Sequence, residues 1–262
     1  MKVTVPVLQQ MKRDGRKIVA VLAADFRSLQ IIDRSAVDIV LIADSAGVNI
    51  LGHRSPKETT LDELVMLCRA AQRALTRPFL LADLPFGVCY PRIEDAVRSA
   101  IRLVKEGGAE GVKIESDLEN IASVAAIVRA GIPVMAHIGP TPQLQARLGD
   151  FVEARCAISD DDLVHLAQQM EKAGAFGLDL TMGGTATGSV VEAVTIPVLG
   201  GRGTSTASDG QFLQLNRLAG WNVAALDQDI PRYANVARAL LDAVNGYAAD
   251  VKAGNLGKGR DV

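Results

Sequence analysis

Two stretches decide how this chain folds: Asp38–Gly47, DIVLIADSAG, and Pro78–Gly87, PFLLADLPFG. Each is a short aliphatic run that stops at an aspartate, Asp44 in the first and Asp83 in the second. Runs of this length, bounded and apolar throughout, read as strands buried on both faces. A carboxylate at the downstream end of such a strand is costly in a core and useful in a site. Lys113, Glu115 and His137 occupy equivalent places later in the chain. Together they predict a cluster of charge at one end of a barrel.

Working outward, the strand-then-helix pattern recurs. Strands are expected at Ile18–Ala23, Asp38–Ile42, Phe79–Ala82, Gly111–Ile114, Pro133–Ala136, Gly177–Leu180, Pro197–Leu199 and Val223–Ala225. Helices are expected at Leu61–Leu75 behind the N-cap Thr60, and at Ile93–Lys105, which stops at Gly107-Gly108. Further helices are expected at Asp117–Arg129, Asp160–Ala173, Ser208–Arg217 and Pro231–Tyr247, with a compressed one at Ser28–Ser35. Such alternation implies parallel strands joined by right-handed crossovers, and eight units favour a closed (β/α)8 TIM barrel, an α/β fold without edge strands. No linker divides the chain, so residues 1–262 are expected to form a single domain with a mobile tail at 254–262.

Bulk composition narrows the function. The net charge of -2 over 262 residues offers no electrostatic footprint for nucleic acid or an anionic membrane. No apolar run reaches the roughly 18 residues of a membrane helix, and a cytoplasmic protein is expected. Cys68, Cys89 and Cys156 are scattered and form no CxxC pair, so they read as packed thiols.

In a barrel of this kind the reactive face lies at the carboxyl ends of the strands. There the sequence sets Asp25, Asp44-Ser45, Asp83, Lys113, Glu115, His137, Thr181 and Gly200-Gly201. Asp25 and Ser45 read equally well as caps of the next helix. Lys113 and Glu115 alternate with Val112 and Ile114, which turns two opposite charges toward the barrel interior. Buried ions persist when paired or bound to something. His53 and His165 read as a loop residue and a surface residue. Asp160-Asp161-Asp162 reads as a helix N-terminus complementing the dipole, and Arg202 as a residue able to face an acidic substrate.

The phrases KIVAVLAADF, LIADSAGVNILGH, TTLDEL, LLADLPFG, GVKIES, GIPVMAHIGPTPQ, AGAFGLDL and SDGQFL, in this order, resemble the ketopantoate hydroxymethyltransferase family. The resemblance implies a barrel of the phosphoenolpyruvate/pyruvate type, a divalent metal (usually Mg2+), and a large homo-oligomer, in the decameric range. It implies Asp44 and Asp83 as metal carboxylates and Glu115 as a third acid near the metal. Ser45 and Lys113 are implied to hold the carboxylate and carbonyl of a 2-oxo acid, and His137 to line the substrate pocket. The implied reaction adds a one-carbon unit from 5,10-methylenetetrahydrofolate to 3-methyl-2-oxobutanoate. Elementary chemistry agrees: a hard cation wants oxygen ligands, and a cationic Lys113 would stabilise a developing enolate oxygen.

The chain departs from the family at strand six. A glutamate serves there as general base, and here Thr181 stands in its place. A threonine hydroxyl is a poor base at neutral pH. Asp179, two residues earlier and on the same strand face, either substitutes as base, directly or through a water with Thr181 relaying, or pairs with a buried cation. The departure keeps two other functions open: a folate-independent aldolase or lyase on another 2-oxo acid, and a non-catalytic 2-oxo-acid-binding paralogue.

Overall fold

The computed structural model describes residues 1–88, 92–141, 146, 158–201, 203–228 and 233–255. Eight parallel strands close into a barrel in sequence order. They are β1 (Ile18–Leu22), β2 (Ile39–Ile42), β3 (Phe79–Asp83), β4 (Gly111–Glu115), β5 (Val134–Ile138), β6 (Gly177–Leu180), β7 (Val198–Gly200) and β8 (Gly210–Gln214). The helices are α1 (Val5–Arg13), α2 (Phe26–Ile32), α3 (Leu61–Ala74), α4 (Ile93–Lys105), α5 (Ile121–Arg129), α6 (Asp160–Lys172), α7 (Ala186–Ala193), α8 (Leu215–Leu218), α9 (Ala224–Asp227) and α10 (Val236–Lys252). The expected (β/α)8 barrel is present, and the first seven strands lie where the aliphatic runs place them.

The eighth strand does not. Val223–Ala225, expected as a strand, runs into the helical turn α9, and Val223 is 76% exposed. The strand lies at Gly210–Gln214, inside the segment expected to be helical. Only its inward residues, Gly210 and Phe212, are buried. Pairing makes it a strand: β7 lies against it in register, and the Ile18 N–H donates to the Asp209 carbonyl. Closure of the barrel overrides a weak local pattern.

Local chemistry sets the helix starts. Thr60 and Glu63 form a reciprocal capping box on α3. Ser159 and Asp162 do the same on α6, so the acidic run is a helix start. Asp25 accepts from the Ser28 N–H and caps α2, which resolves its reading as a cap.

Helix α1, absent from the expected elements, packs into the barrel. Its Leu8 and Met11, with Val3, join Ile18, Ile39, Phe79, Phe176 and Phe212 in one apolar cluster. Phe79 and Phe176 meet edge to face at 5.7 Å. Burying a leucine or phenylalanine here contributes about 1.5–3 kcal/mol each.

The polypeptide falls into two compact units, Met1–Phe212 and Leu213–Val262. In the second unit Asn235 accepts from the Arg238 N–H at the start of α10, and no residue of that helix is buried. The expected helix start at Pro231 and tail residues 256–262 lie outside the described residues, as do Cys89, Cys156 and Arg202. Cys68 is buried, as a packed thiol should be. No helix among the described residues is long and apolar enough to cross a membrane.

Candidate active site

Strand alternation aims the charges. In β3, Leu81 and Asp83 share the inner face; in β4, Gly111, Lys113 and Glu115; in β5, Met135 and His137; in β6, Gly177 and Asp179. Register then sets Asp83 beside Lys113, Glu115 beside His137, and His137 beside Asp179. The lower residues of each set are apolar or glycine, and the upper ones are ionisable. Polarity therefore switches within about two residues of rise, some 7 Å.

Lys113 is the hub. Its Nζ lies 3.1 Å from Asp83 Oδ1 and 3.3 Å from Asp179 Oδ2. A third neighbour, His137 Nδ1, is at 3.4 Å. Burial alone would lower the pKa of the ammonium; the charges of Asp83, Asp179 and Asp44 outweigh it and hold the pKa above the usual lysine value. Asp179 thus realises the pairing with a buried cation that was one of its two expected roles.

An ammonium only donates, so His137 Nδ1 must accept. The imidazole proton is then on Nε2, which donates to Thr181 Oγ1 at 2.9 Å. Burial, and next the Lys113 charge, push the His137 pKa well below its ordinary value. The ring is neutral with both nitrogens engaged, so it orients Thr181 and has no lone pair left for a substrate proton.

The acids crowd the other side. The Asp44 N–H donates to Asp83 Oδ2 at 3.2 Å. Burial, then the charge of Asp83, with a smaller contribution from Glu115, raise the Asp44 carboxyl to about 7 against the pull of Lys113. Burial likewise raises Asp83 and Asp179, with Lys113 opposing in both. The Ser45 backbone N–H bonds the Asp44 carboxylate. Asp44, Asp83, Leu84, Lys113, Glu115 and His137 line a cleft with about 250 Å³ of open space.

The donor set suits a hard cation. The Asp44, Asp83 and Asp179 carboxylates act on the Lys113 ammonium, with Glu115 lining the same cleft, and burial with mutual repulsion has already lifted the Asp44 carboxyl. The expected trio of Asp44, Asp83 and Glu115 lines this one cleft. Among the described residues no group of three His, Cys, Asp or Glu side chains is disposed to hold an ion unaided. Magnesium keeps several waters and takes one or two carboxylates plus substrate oxygens.

Sequence reasoning overlooked the supports. Thr59 Oγ1 donates to the Asp44 carbonyl at 2.7 Å. Gly47 permits that approach, because a Cβ there would stand 2.1 Å from the Thr59 hydroxyl oxygen. Buried Asn120 donates from Nδ2 to the Glu115 carbonyl at 2.6 Å. The loop after β6 is tied to the loop after β7 by Gly184 N–H to the Gly203 carbonyl, 3.1 Å, and by Thr204 Oγ1 to the Leu180 carbonyl, 2.6 Å. Met182, next to Thr181, is the one described non-glycine residue with positive φ, 51°, a strained backbone of the kind that collects at functional sites. The hydroxyl-rich phrase GGTATGS was the available signal for that loop. His53 bonds Glu63 at 2.9 Å, and His165 is exposed on α6; neither joins the cluster.

Known proteins resemble this chain over nearly its whole length. The family model for ketopantoate hydroxymethyltransferase matches residues 2–258. The 3-methyl-2-oxobutanoate hydroxymethyltransferase of Cytophaga hutchinsonii is 37% identical, across 97% of this chain and 94% of that protein. The Flavobacterium johnsoniae protein of the same name is 36% identical, across 96% and 93%. Among solved structures, 2,3-dimethylmalate lyase, a PEP mutase/isocitrate lyase superfamily member, covers the whole chain with a TM-score of 0.62 at 14% identity. Phosphonopyruvate hydrolase in complex with oxalate and magnesium covers 99% of this chain and 92% of its own, with a TM-score of 0.60 at 16% identity. The structural likeness establishes the fold, and the sequence match over nearly the whole length establishes more: the chain belongs to the ketopantoate hydroxymethyltransferase family.

Proposed function

We propose that this protein transfers a hydroxymethyl group from 5,10-methylenetetrahydrofolate to C3 of 3-methyl-2-oxobutanoate, forming ketopantoate. The observation that carries the reading is the buried Lys113 ammonium, held between Asp83 and Asp179 at the carboxyl ends of the family's barrel strands. Asp44 and Asp83, with Glu115 nearby, are the groups that would hold a divalent cation such as Mg2+. Such an ion supplies Lewis-acid polarisation of the substrate's keto oxygen.

The chain's own groups do the rest. Lys113 meets the negative charge that grows on the keto oxygen as C3 loses its proton, and it does so from a water-poor site where a fixed charge acts strongly. Ser45 holds the substrate carboxylate at the start of the turn after β2. The neutral His137 keeps Thr181 oriented toward the reacting carbon. Leu84, buried at the cleft wall, offers the apolar surface that the substrate's methyl groups require. Assembly into a homo-oligomer, decameric in scale, and a cytoplasmic location belong to the same reading.

The test is proton exchange at C3. Magnesium-dependent incorporation of deuterium into 3-methyl-2-oxobutanoate is the expected result, followed by folate-dependent release of ketopantoate. An enzyme that leaves C3 unlabelled would sink the proposal and favour a non-catalytic 2-oxo-acid-binding role. One observation supports a second reading. Thr181 in the place of the strand-six glutamate suits a folate-independent aldolase or lyase on another 2-oxo acid. Labelling at C3 without folate-dependent product would select it.

A further inference from the structure

Whichever acceptor follows, a 2-oxo acid activated at C3 must hand its proton to a base. Thr181 does not serve: its hydroxyl is protonated at neutral pH, and its Oγ1 already accepts from His137. His137 has no free lone pair. Lys113 is fully protonated and bears three neighbours.

Asp179 is different. One carboxylate oxygen, Oδ2, is fixed by Lys113 at 3.3 Å. The other, Oδ1, is buried and makes no hydrogen bond among the described residues. A buried carboxylate oxygen left unpaired is costly, so such an atom is unusual and calls for a partner that arrives with the working site. Gly201 marks where that partner sits. A Cβ at position 201 would stand 3.3 Å from Asp179 Oδ1 and 3.0 Å from Thr181 Oγ1. The two oxygens therefore look onto one small space that glycine alone leaves open. A water needs two to four polar partners, and this space supplies two that no protein contact satisfies in full.

We propose that Asp179, through a water held between its Oδ1 and Thr181 Oγ1 against Gly201, takes the C3 proton in place of the family's strand-six glutamate. The inference rests on the 2-oxo-acid reading above and deepens it. In the step, the C3–H bond breaks and its electron pair becomes the C2–C3 π bond. The carbonyl π pair moves onto the keto oxygen beside Lys113. The water oxygen receives the proton while it passes one of its own to Asp179 Oδ1. The net transfer is one proton from C3 to the carboxylate, and reversal in heavy water returns a deuteron to carbon. Burial, which raises the Asp179 pKa against the pull of Lys113, makes the carboxylate a stronger base than one in water.

The experiment measures C3 deuteration by proton NMR on the magnesium-loaded full-length protein, with substrate affinity measured separately by calorimetry. Asp179→Asn keeps the shape and a hydrogen-bonding side chain. It should slow exchange about 100-fold or more, the span of general-base catalysis, with substrate affinity unchanged. Gly201→Ala fills the space and leaves the carboxylate. It should slow exchange about 10-fold by displacing the water. Thr181→Glu in the Asp179→Asn background restores the family's base and should recover most of the lost rate. Exchange by Asp179→Asn within about threefold of the parent would overturn the proposal, because a lost general base costs far more. So would unchanged exchange in Gly201→Ala, which decides alone should the aspartate variant misfold. A parent protein that exchanges nothing fails the 2-oxo-acid reading itself, a result distinct from either variant outcome.

Discussion

The two ends of this barrel are built from the same eight strands and obey opposite rules. At the amino end, Ile18, Ile39, Phe79 and Phe176 close against Leu8 and Met11 of α1, and all of them are apolar. At the carboxyl end, one or two pleats up the same strands, stand Asp83, Lys113, Glu115, His137 and Asp179. The first end gains from excluding water and the second spends stability to gather charge. Stability and chemistry are thus separated along the strand axis, so substitutions at the two ends should move different observables.

The largest expected effect is at the charged end. Lys113→Met leaves Asp83 and Asp179 buried without their cation. Turnover at C3 should fall about 1,000-fold, the upper range for removing an electrostatic stabiliser. A variant retaining a tenth of the parent rate would break the comparison, because the hub would then be structural only. At the apolar end, Leu81→Ala should cost about 3–5 kcal/mol, the usual price of a buried leucine cavity. Its turnover per folded molecule should stay near the parent's, read from denaturant melts beside activity assays. Loss of activity at unchanged stability would show that the two ends are not separable.

A third variant sharpens the division. Asp83→Asn should weaken magnesium binding about tenfold or more, as loss of one ligand charge predicts, and an unchanged titration isotherm would remove Asp83 from the ion's shell. The smallest effect is expected at the amino end, where Asp33 takes hydrogen bonds from the Thr76 N–H, the Thr76 hydroxyl and the Arg77 N–H at 2.7–2.9 Å. Partial burial pushes its pKa up, and these bonds together outweigh that and hold it below the ordinary value. The bonds therefore stabilise the fold above the unfolded carboxyl's pKa, and the gain fades as pH falls through the lower folded value. Asp33→Asn should cost about 1 kcal/mol at pH 7 and progressively less in acid, with the pH profile of turnover unmoved. A stability gap between variant and parent that persists at low pH would contradict this.

Much of the fold was legible because β1 to β7 carry aliphatic runs that need no partner to be recognised. Gly210–Gln214 was not legible: with Phe212 as its one large buried residue, it looks helical until β1 and β7 flank it. Helix α1 was missed for the same reason, since its apolar stripe makes sense only over an open barrel end. In the site, the carboxylates, Lys113 and His137 announced themselves as ionisable residues ending apolar strands. Their wiring did not. The tautomer of His137, the second oxygen of Asp179 and the space beside Gly201 are products of distance, which no spacing in sequence encodes. The departure at Thr181 was legible as well, because it follows directly on the matched phrase AGAFGLDL.

Helix α1 has a bearing on solubility. Leu8 and Met11 cover side chains of β1, β2 and β3 that the strands alone would leave to water, so trimming the first thirteen residues would uncover an apolar patch of the kind that drives copies of a protein together.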